Sequence, residues 1–241
     1  MKWALILGAT GAIGQEIVQE LAQSGWSLYL QGFSQQEQLQ QQVEQLNSDY
    51  PDQDFLPLII DMTKIDELDI IVNNVFSLDA LIAAQGVTDY HLFAQLPADK
   101  MTQIWLINLQ FTLRLIQRLQ VKLAKSPTGR IILLGSVYGK QGSAMEVMYS
   151  TTKGALSAFA KSYAKEVASL GITVNVLAPG AVDTQMNNML SENDKNDLIA
   201  QIPLGRMAQP QDISYWVKVM LDERAQYFTG QTLYVTAGWL E

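Results

Sequence analysis

Trp3-Ala4-Leu5-Ile6-Leu7-Gly8-Ala9-Thr10-Gly11-Ala12-Ile13-Gly14 carries a short apolar run into a glycine-rich turn, and Ile13, Ile17, Val18 and Leu21 follow at helical spacing up to Gln23. The pattern reads as buried strand, tight turn, helix. Glycines at such a junction let the backbone bend sharply and come close to a pyrophosphate, whose charge is met by the N–H groups at the helix start. A phosphate loop of the Walker kind is the competing reading, but the Lys and Ser/Thr that it requires are absent after Gly14. A dinucleotide is favoured, with Gly8, Thr10, Gly11, Ala12, Ile13 and Gly14 as candidate contacts. A purely structural turn is the plainer alternative.

Beyond this unit, strand-like runs recur at Ser27 to Leu30, Phe55 to Ile60, Asp79 to Ala83, Arg130 to Leu134, Ile172 to Leu177 and Gln231 to Val235, with helical stretches between them. The Gln-rich segment Gln35 to Leu46 keeps Leu39, Val43 and Leu46 on one stripe and reads as a solvated helix rather than a low-complexity linker. Strands alternating with helices predict parallel pairing through crossovers, hence an α/β fold: a Rossmann-type, doubly wound parallel sheet with helices on both faces. With no repeat and no Pro/Gly-rich linker, residues 1–241 read as one domain. Ligands in such sheets bind beyond the carboxyl ends of the strands.

The chain has 241 residues, 48% of them apolar, enough for a full core, and no apolar run approaches the roughly 20 residues that cross a bilayer. The N-terminal Met1 to Gly8 reads as a first strand rather than a leader, because its short apolar run enters the glycine turn directly. A formal net charge of -8 argues against nucleic-acid, anionic-membrane or acidic partners. No cysteine is present, so disulfides and thiolate chemistry are excluded, and a cytoplasmic setting is expected. His91 is the sole histidine, so a zinc site would have to rest almost wholly on carboxylates, and chemistry of the zinc alcohol dehydrogenase kind is not expected.

Of nine tyrosines only Tyr149 has a lysine four residues later, in Tyr149-Ser150-Thr151-Thr152-Lys153 at the start of an Ala-rich helical stretch. Positions four apart share a helix face, so the phenol and the ammonium can point into one cleft. A free tyrosine titrates at about 10, and a nearby cation favours its ionised form, which makes Tyr149 usable as an acid or base. Ser136 lies thirteen residues upstream, just past the strand-like Arg130 to Leu134. An exposed helix with an incidental Tyr and Lys is the bland reading; the glycine turn, Ser136 and the later Pro179-Gly180 in order weigh against it.

With these residues assembled, the chain resembles the classical short-chain dehydrogenase/reductase family from Leu5 to Gly238. The resemblance implies that Ser136 binds the substrate carbonyl oxygen, that Tyr149 gives or takes the proton, and that Lys153 holds the nicotinamide ribose and lowers the Tyr149 pKa. It further implies that Asn108 anchors a proton relay to the lysine and that Asp61, with Met62 beside it, meets the adenine. Gly86 would line the cofactor, and Pro179, Gly180, Val182 and Thr184 would hold the carboxamide; for Thr184 a helix cap is the other reading. The sequence departs from the family pattern twice. Ala12 replaces the middle glycine of GxxxGxG, and Ala83-Ala84-Gln85-Gly86 stands where many members have Asn-Asn-Ala-Gly.

Cofactor choice turns on the end of the second strand, where an acid would bind the adenosine 2′-hydroxyl and repel a 2′-phosphate. Gly32 and Phe33 stand there, and Ser34 can donate to a phosphate, so NADP(H) is favoured over NAD(H). The resemblance is to 3-oxoacyl-acyl-carrier-protein reductases, on Gly171 to Val176 and Thr229 to Leu233, and more narrowly to elongation factor P 5-aminopentanone reductases, on Ser143 to Thr151. The expected partner is a small ketone or a ketone-bearing protein. Basic residues that would greet an acidic carrier protein are thinned around Pro127 and Leu170, while Glu146 is placed in a loop bordering the substrate, where it would attract an amine. An ordinary solvated acid or a helix N-terminal charge is the competing reading of Glu146. A non-enzymatic dinucleotide sensor and a sugar-nucleotide epimerase are rival functions. The first has no need of the Ser136, Tyr149, Lys153 and Asn108 set, and the second usually needs a longer C-terminal domain. Met101 to Leu123, long and apolar, together with the resemblance, suggests a homotetramer or homodimer.

Overall fold

The seven expected strands form in a computed structural model that describes residues 1–184 and 191–239. They are β1 (Lys2–Leu7), β2 (Trp26–Gly32), β3 (Phe55–Ile59), β4 (Ala80–Ala83), β5 (Arg130–Leu134), β6 (Thr173–Pro179) and β7 (Thr232–Val235), all parallel, in the order β3-β2-β1-β4-β5-β6-β7. Strand bounds agree with the sequence expectation to within two residues, and for β5 they coincide at both ends. The main helices are α1 (Ala12–Gln23), α2 (Gln36–Asp49), α3 (Leu68–Asn74), α4 (Ala98–Trp105), α5 (Phe111–Leu123), the short α6 (Tyr138–Gln141), α7 (Val147–Val167), α8 (Glu192–Gln201) and α9 (Pro210–Leu221). The Gln-rich stretch is helical, with Leu39, Val43 and Leu46 buried on its inner stripe.

Strand residues alternate between two cores, because successive side chains point to opposite faces of a sheet. Leu5, Leu7, Leu81, Ile131, Leu133, Val174 and Val176 face the core shared with α3, α5 and α7. Ala4, Ile6, Leu28, Leu30, Ile82, Ile132 and Leu134 face the core shared with α1, α2 and α9. Strands buried on both faces explain why they read as unbroken apolar runs. Each fully buried Leu or Ile contributes about 1.5–3 kcal/mol through removal of apolar surface from water.

The strand order reverses between β1 and β4, the point of such a sheet at whose carboxyl ends ligands bind. Gly8 follows β1 and Ala84-Gln85-Gly86 follows β4, so the glycine turn and the departing family segment meet at this point. At the other extreme, β3 is an edge strand. Leu28 N donates to Asp54 O and Ile60 N to Gly32 O, so even-numbered residues of β3 bond inward and Pro57, which has no N–H, faces the free edge. Helices α4 and α5 are one continuous helical run joined by a π turn, Leu106–Gln110, which contains Asn108.

Candidate active site

The glycine turn is shaped by close approach. Gly8 has φ +73°, which favours glycine, and a Cβ on it would lie 2.8 Å from the Gln85 backbone. A Cβ on Gly14 would lie 2.1 Å from Gly8 O, so only glycine fits there. Gly11, the N-cap residue of α1, has ordinary extended geometry and offers no side-chain cap. The first N–H groups of α1 have no intrahelical acceptor and no N-cap side chain to accept from them, which suits an anion site. Ala12 is accommodated half-buried at the position of the family's middle glycine. The cradle fits a dinucleotide pyrophosphate.

Ser136 follows β5, while Tyr149 and Lys153 lie in the first turns of α7. Helix α6 lets these segments come together: a Cβ on Gly139 or Gly154 would lie 2.9 Å or less from the facing backbone. Ser136 hydrogen-bonds the Tyr149 phenol, and Ser136 Oγ accepts from Tyr138 N at 3.2 Å. Lys153, 3% exposed, donates to Leu134 O at 2.7 Å, with Nζ 5.6 Å from the Tyr149 ring centre. The sequence led us to expect Lys153 to lower the Tyr149 pKa. In the chain by itself the net shift is upward, to about 12: burial is the largest cause, the Ser136 hydrogen bond opposes it, and Glu146, Tyr90 and Tyr138 add to it. Lys153 is brought down to about 8 by burial. Desolvation dominates both groups.

The side chain of Asn108 is committed: Oδ1 accepts from Val87 N at 2.8 Å, and Nδ2 donates to Val87 O at 2.8 Å and Thr152 Oγ1 at 3.3 Å. It thereby pins the segment after β4 against α7. Gly86 sits between the two, its Cβ position 3.2 Å from Lys153 Nζ and 3.9 Å from Asn108 Oδ1. Thus Asn108, Gly86, Tyr149, Lys153 and Ser136 converge.

Glu146 departs from the solvated-acid reading. It is 7% exposed, with Oε1 accepting from Thr88 Oγ1 at 2.8 Å and Oε2 from Ser143 Oγ at 3.1 Å. Tyr90 also hydrogen-bonds it, and the Tyr90 pKa is pushed up to about 12 by burial and by this carboxylate. As N-cap of α7 its side chain makes no cap bond. Three residues before Tyr149, it adds to the upward shift of that phenol.

The remaining candidates lie at or after the carboxyl ends of β2, β3 and β6. Asp61 Oδ1 accepts from Thr63 N and Oγ1, and Lys64 lies 3.7 Å from its carboxylate; these outweigh burial and hold its pKa below the ordinary value. Met62 is buried, and Ser34 and Phe33 are exposed at the end of β2. Pro179 closes β6, and Gly180 approaches Thr236 so closely that a Cβ would meet its Cα at 3.1 Å. Val182 bridges to Ala208. Thr184 is half-buried, and residues 185–190, where a helix for it to cap is expected, lie outside the described residues.

Sequence reading missed one buried and one half-buried amide. Gln31, 3% exposed, accepts from Gly8 N at 2.9 Å and donates to Ile60 O at 2.9 Å, tying the glycine turn to the end of β3 before Asp61. Gln85 donates to Ile107 O at 3.1 Å and Thr112 Oγ1 at 2.6 Å. Only the departure from Asn-Asn-Ala-Gly marked the second.

Comparison with known proteins adds to this geometry. The short chain dehydrogenase family matches residues 2–195. The chain is 33% identical over 239 residues to the uncharacterized oxidoreductase YmfI of Bacillus subtilis, covering 99% of this chain and 98% of that protein. It is likewise 33% identical over 241 residues to the 3-oxoacyl-acyl-carrier-protein reductase FabG of Salmonella typhimurium, covering 98% of this chain and 96% of the relative. A crystal structure of a 3-oxoacyl-acyl-carrier-protein reductase from Brucella melitensis shares the fold, with a TM-score of 0.91 over 100% of this chain and 91% of that one at 23% identity. The extent of the family match and the full-length likeness to these oxidoreductases place the chain in the short-chain dehydrogenase family, as an oxidoreductase.

Proposed function

We propose that the protein is an NADP(H)-dependent oxidoreductase that interconverts a ketone and a secondary alcohol. The observation that carries the reading is the convergence of Ser136, Tyr149 and Lys153 at the same carboxyl end of the sheet as the uncapped glycine turn. The turn Gly8 to Gly14 would hold the pyrophosphate, Asp61 and Met62 the adenine, Ser34 a 2′-phosphate, Lys153 the nicotinamide ribose, and Pro179, Gly180, Val182 and Thr184 the carboxamide. The bound nicotinamide supplies or takes up the hydride. Ser136 Oγ holds the substrate oxygen, and Tyr149, kept as a phenol by burial, gives that oxygen its proton. Lys153 stands behind the phenol as the cationic end of the proton path, with Asn108 holding the wall at Gly86 and Val87. The preference for NADP(H) rests on Gly32 and Phe33, which leave no acid to repel a 2′-phosphate.

The likeness to the Salmonella typhimurium reductase makes a 3-oxoacyl group the first substrate class to try, with a homotetramer or homodimer as the assembly. A second reading, reduction of an amine-tipped ketone as in elongation factor P 5-aminopentanone reductases, is favoured by Glu146, a buried carboxylate held by the hydroxyls of Thr88, Ser143 and Tyr90. A carboxylate at the reacting end attracts an ammonium and penalises an acidic carrier.

The test is a ketone panel, including an acetoacetyl thioester and an amino-ketone, with NADPH and NADH, run on wild type and Tyr149→Phe. Ketone-dependent loss of nicotinamide absorbance in wild type is expected, with the variant losing about a thousandfold or more in kcat, in the range of a missing general acid, while still binding cofactor. Undiminished reduction by the variant, or a clear preference for NADH, overturns the corresponding part of the reading.

A further inference from the structure

We propose that Gln85 is a positioning residue for the proton path, acting by holding the π turn that carries Asn108. The proposal rests on the reading of Tyr149 and Lys153 as the proton-handling pair.

A π turn is rare because its wider ladder is poorly matched to the helices on either side, and where it persists something outside the helix supports it. Here the turn spans Leu106–Gln110 between α4 and α5. The side-chain amide of Gln85 donates to Ile107 O at 3.1 Å and to Thr112 Oγ1 at 2.6 Å, one acceptor on each side of Asn108. A single NH2 group therefore staples across the turn. Asn108 has its own side-chain amide engaged with Val87 and Thr152, so the pitch of the turn depends on the contacts flanking it.

Gln85 is also placed to connect the turn with the reacting end. It directly precedes Gly86, whose Cα faces Lys153 Nζ, and its own backbone packs on Gly8 of the glycine turn. The Oε1 atom of Gln85 is buried and accepts from no described residue. An apolar side chain of similar size would avoid that unmet acceptor, so the glutamine is explained by its donors. Gln85 thus links three parts that must keep register: the glycine turn, the wall against Lys153, and the helical turn with Asn108.

The experiment uses Gln85→Leu, which keeps most of the volume and removes the donors, and Thr112→Val, which removes one acceptor at nearly constant shape. Amide hydrogen exchange is followed on the cofactor-free protein, and kcat, KM and their pH profiles on ketone reduction. The expected result is faster exchange confined to Leu106–Gln110 and Val87, a fall of about tenfold in kcat with KM changed by less than about twofold, and a displaced alkaline limb of the kcat profile. Thr112→Val moves the same readouts in the same direction by less. Unchanged exchange at the π turn, or lowered thermal stability with an unmoved pH profile, overturns the proposal and leaves Gln85 a packing residue. If wild type reduces no ketone with either cofactor, the functional reading fails, while the exchange data still decide whether Gln85 holds the turn. If Gln85→Leu does not fold, Thr112→Val decides by the same criteria.

Discussion

Lys153 carries its ammonium into a buried position where Leu134 O is its hydrogen-bond acceptor, and burial brings its pKa to about 8 from 10.5. Between those values the unfolded chain holds the proton and the folded chain releases it, so stability rises with pH through this window; below about 8 the full burial cost, on the order of a few kcal/mol, is present. Urea unfolding of wild type and Lys153→Met should therefore show the balance moving toward wild type as pH goes from 7 to 10. A difference independent of pH would mean that the lysine is not desolvated as described. Tyr149 shows the opposite sign, since its raised pKa keeps it a phenol at neutral pH and suits it to donating a proton. Glu146 contributes to that shift, and its removal stabilises the phenolate. Glu146→Gln is expected to move the onset of alcohol oxidation to lower pH, and an onset moved upward would contradict this coupling.

At the scale of elements, the glycine turn separates two kinds of glycine. A Cβ on Gly14 collides with Gly8 O at 2.1 Å, whereas on Gly11 the nearest atom is at 3.4 Å, ordinary contact. Gly14→Ala should lose about 1–3 kcal/mol of stability through overpacking and weaken nicotinamide-dinucleotide binding, while Gly11→Ala stays near wild type in thermal unfolding. Equal melting of the two variants would refute the distinction. Strands were legible as short apolar runs because most are buried on both faces, and helices by the period that one-sided burial imposes; even the Gln-rich α2 kept its inner stripe of Leu39, Val43 and Leu46. Ser136, Tyr149 and Lys153 were legible because a helix and the end of a strand place them by local spacing. The π turn was not, since i→i+5 bonding leaves no distinct residue pattern. Gln31, Gln85 and the burial of Glu146 were hidden for a related reason: Gly8, Ile107 and Thr88, which they bond, lie 23, 22 and 58 residues away in the chain, and polarity alone suggests solvent.

Across the whole molecule, much of the apolar stretch Met101 to Leu123 is spent on the sheet, with Ile104, Leu109, Phe111, Leu115, Ile116, Leu119 and Leu123 buried, while Trp105 and Val121 remain exposed. A homotetramer proposed from this stretch must therefore be built on the few side chains that face outward. Light scattering at micromolar concentration is expected to give an assembly of four or two chains, and a stable monomer would dismiss it. Among the described residues no helix is long and apolar enough to cross a membrane. The rim of the sheet at β3 bears on how the chain avoids its own kind during folding. Leu56 and Ile59 are 37% and 50% exposed there, and Pro57 between them deprives the outer rim of an amide donor. Another strand laid along this rim would meet a gap in the ladder, which blunts strand-to-strand aggregation. With Pro57→Val the rim would regain its donor beside two exposed aliphatic side chains, so refolding yield at high protein concentration should fall while the activity of the recovered soluble fraction holds.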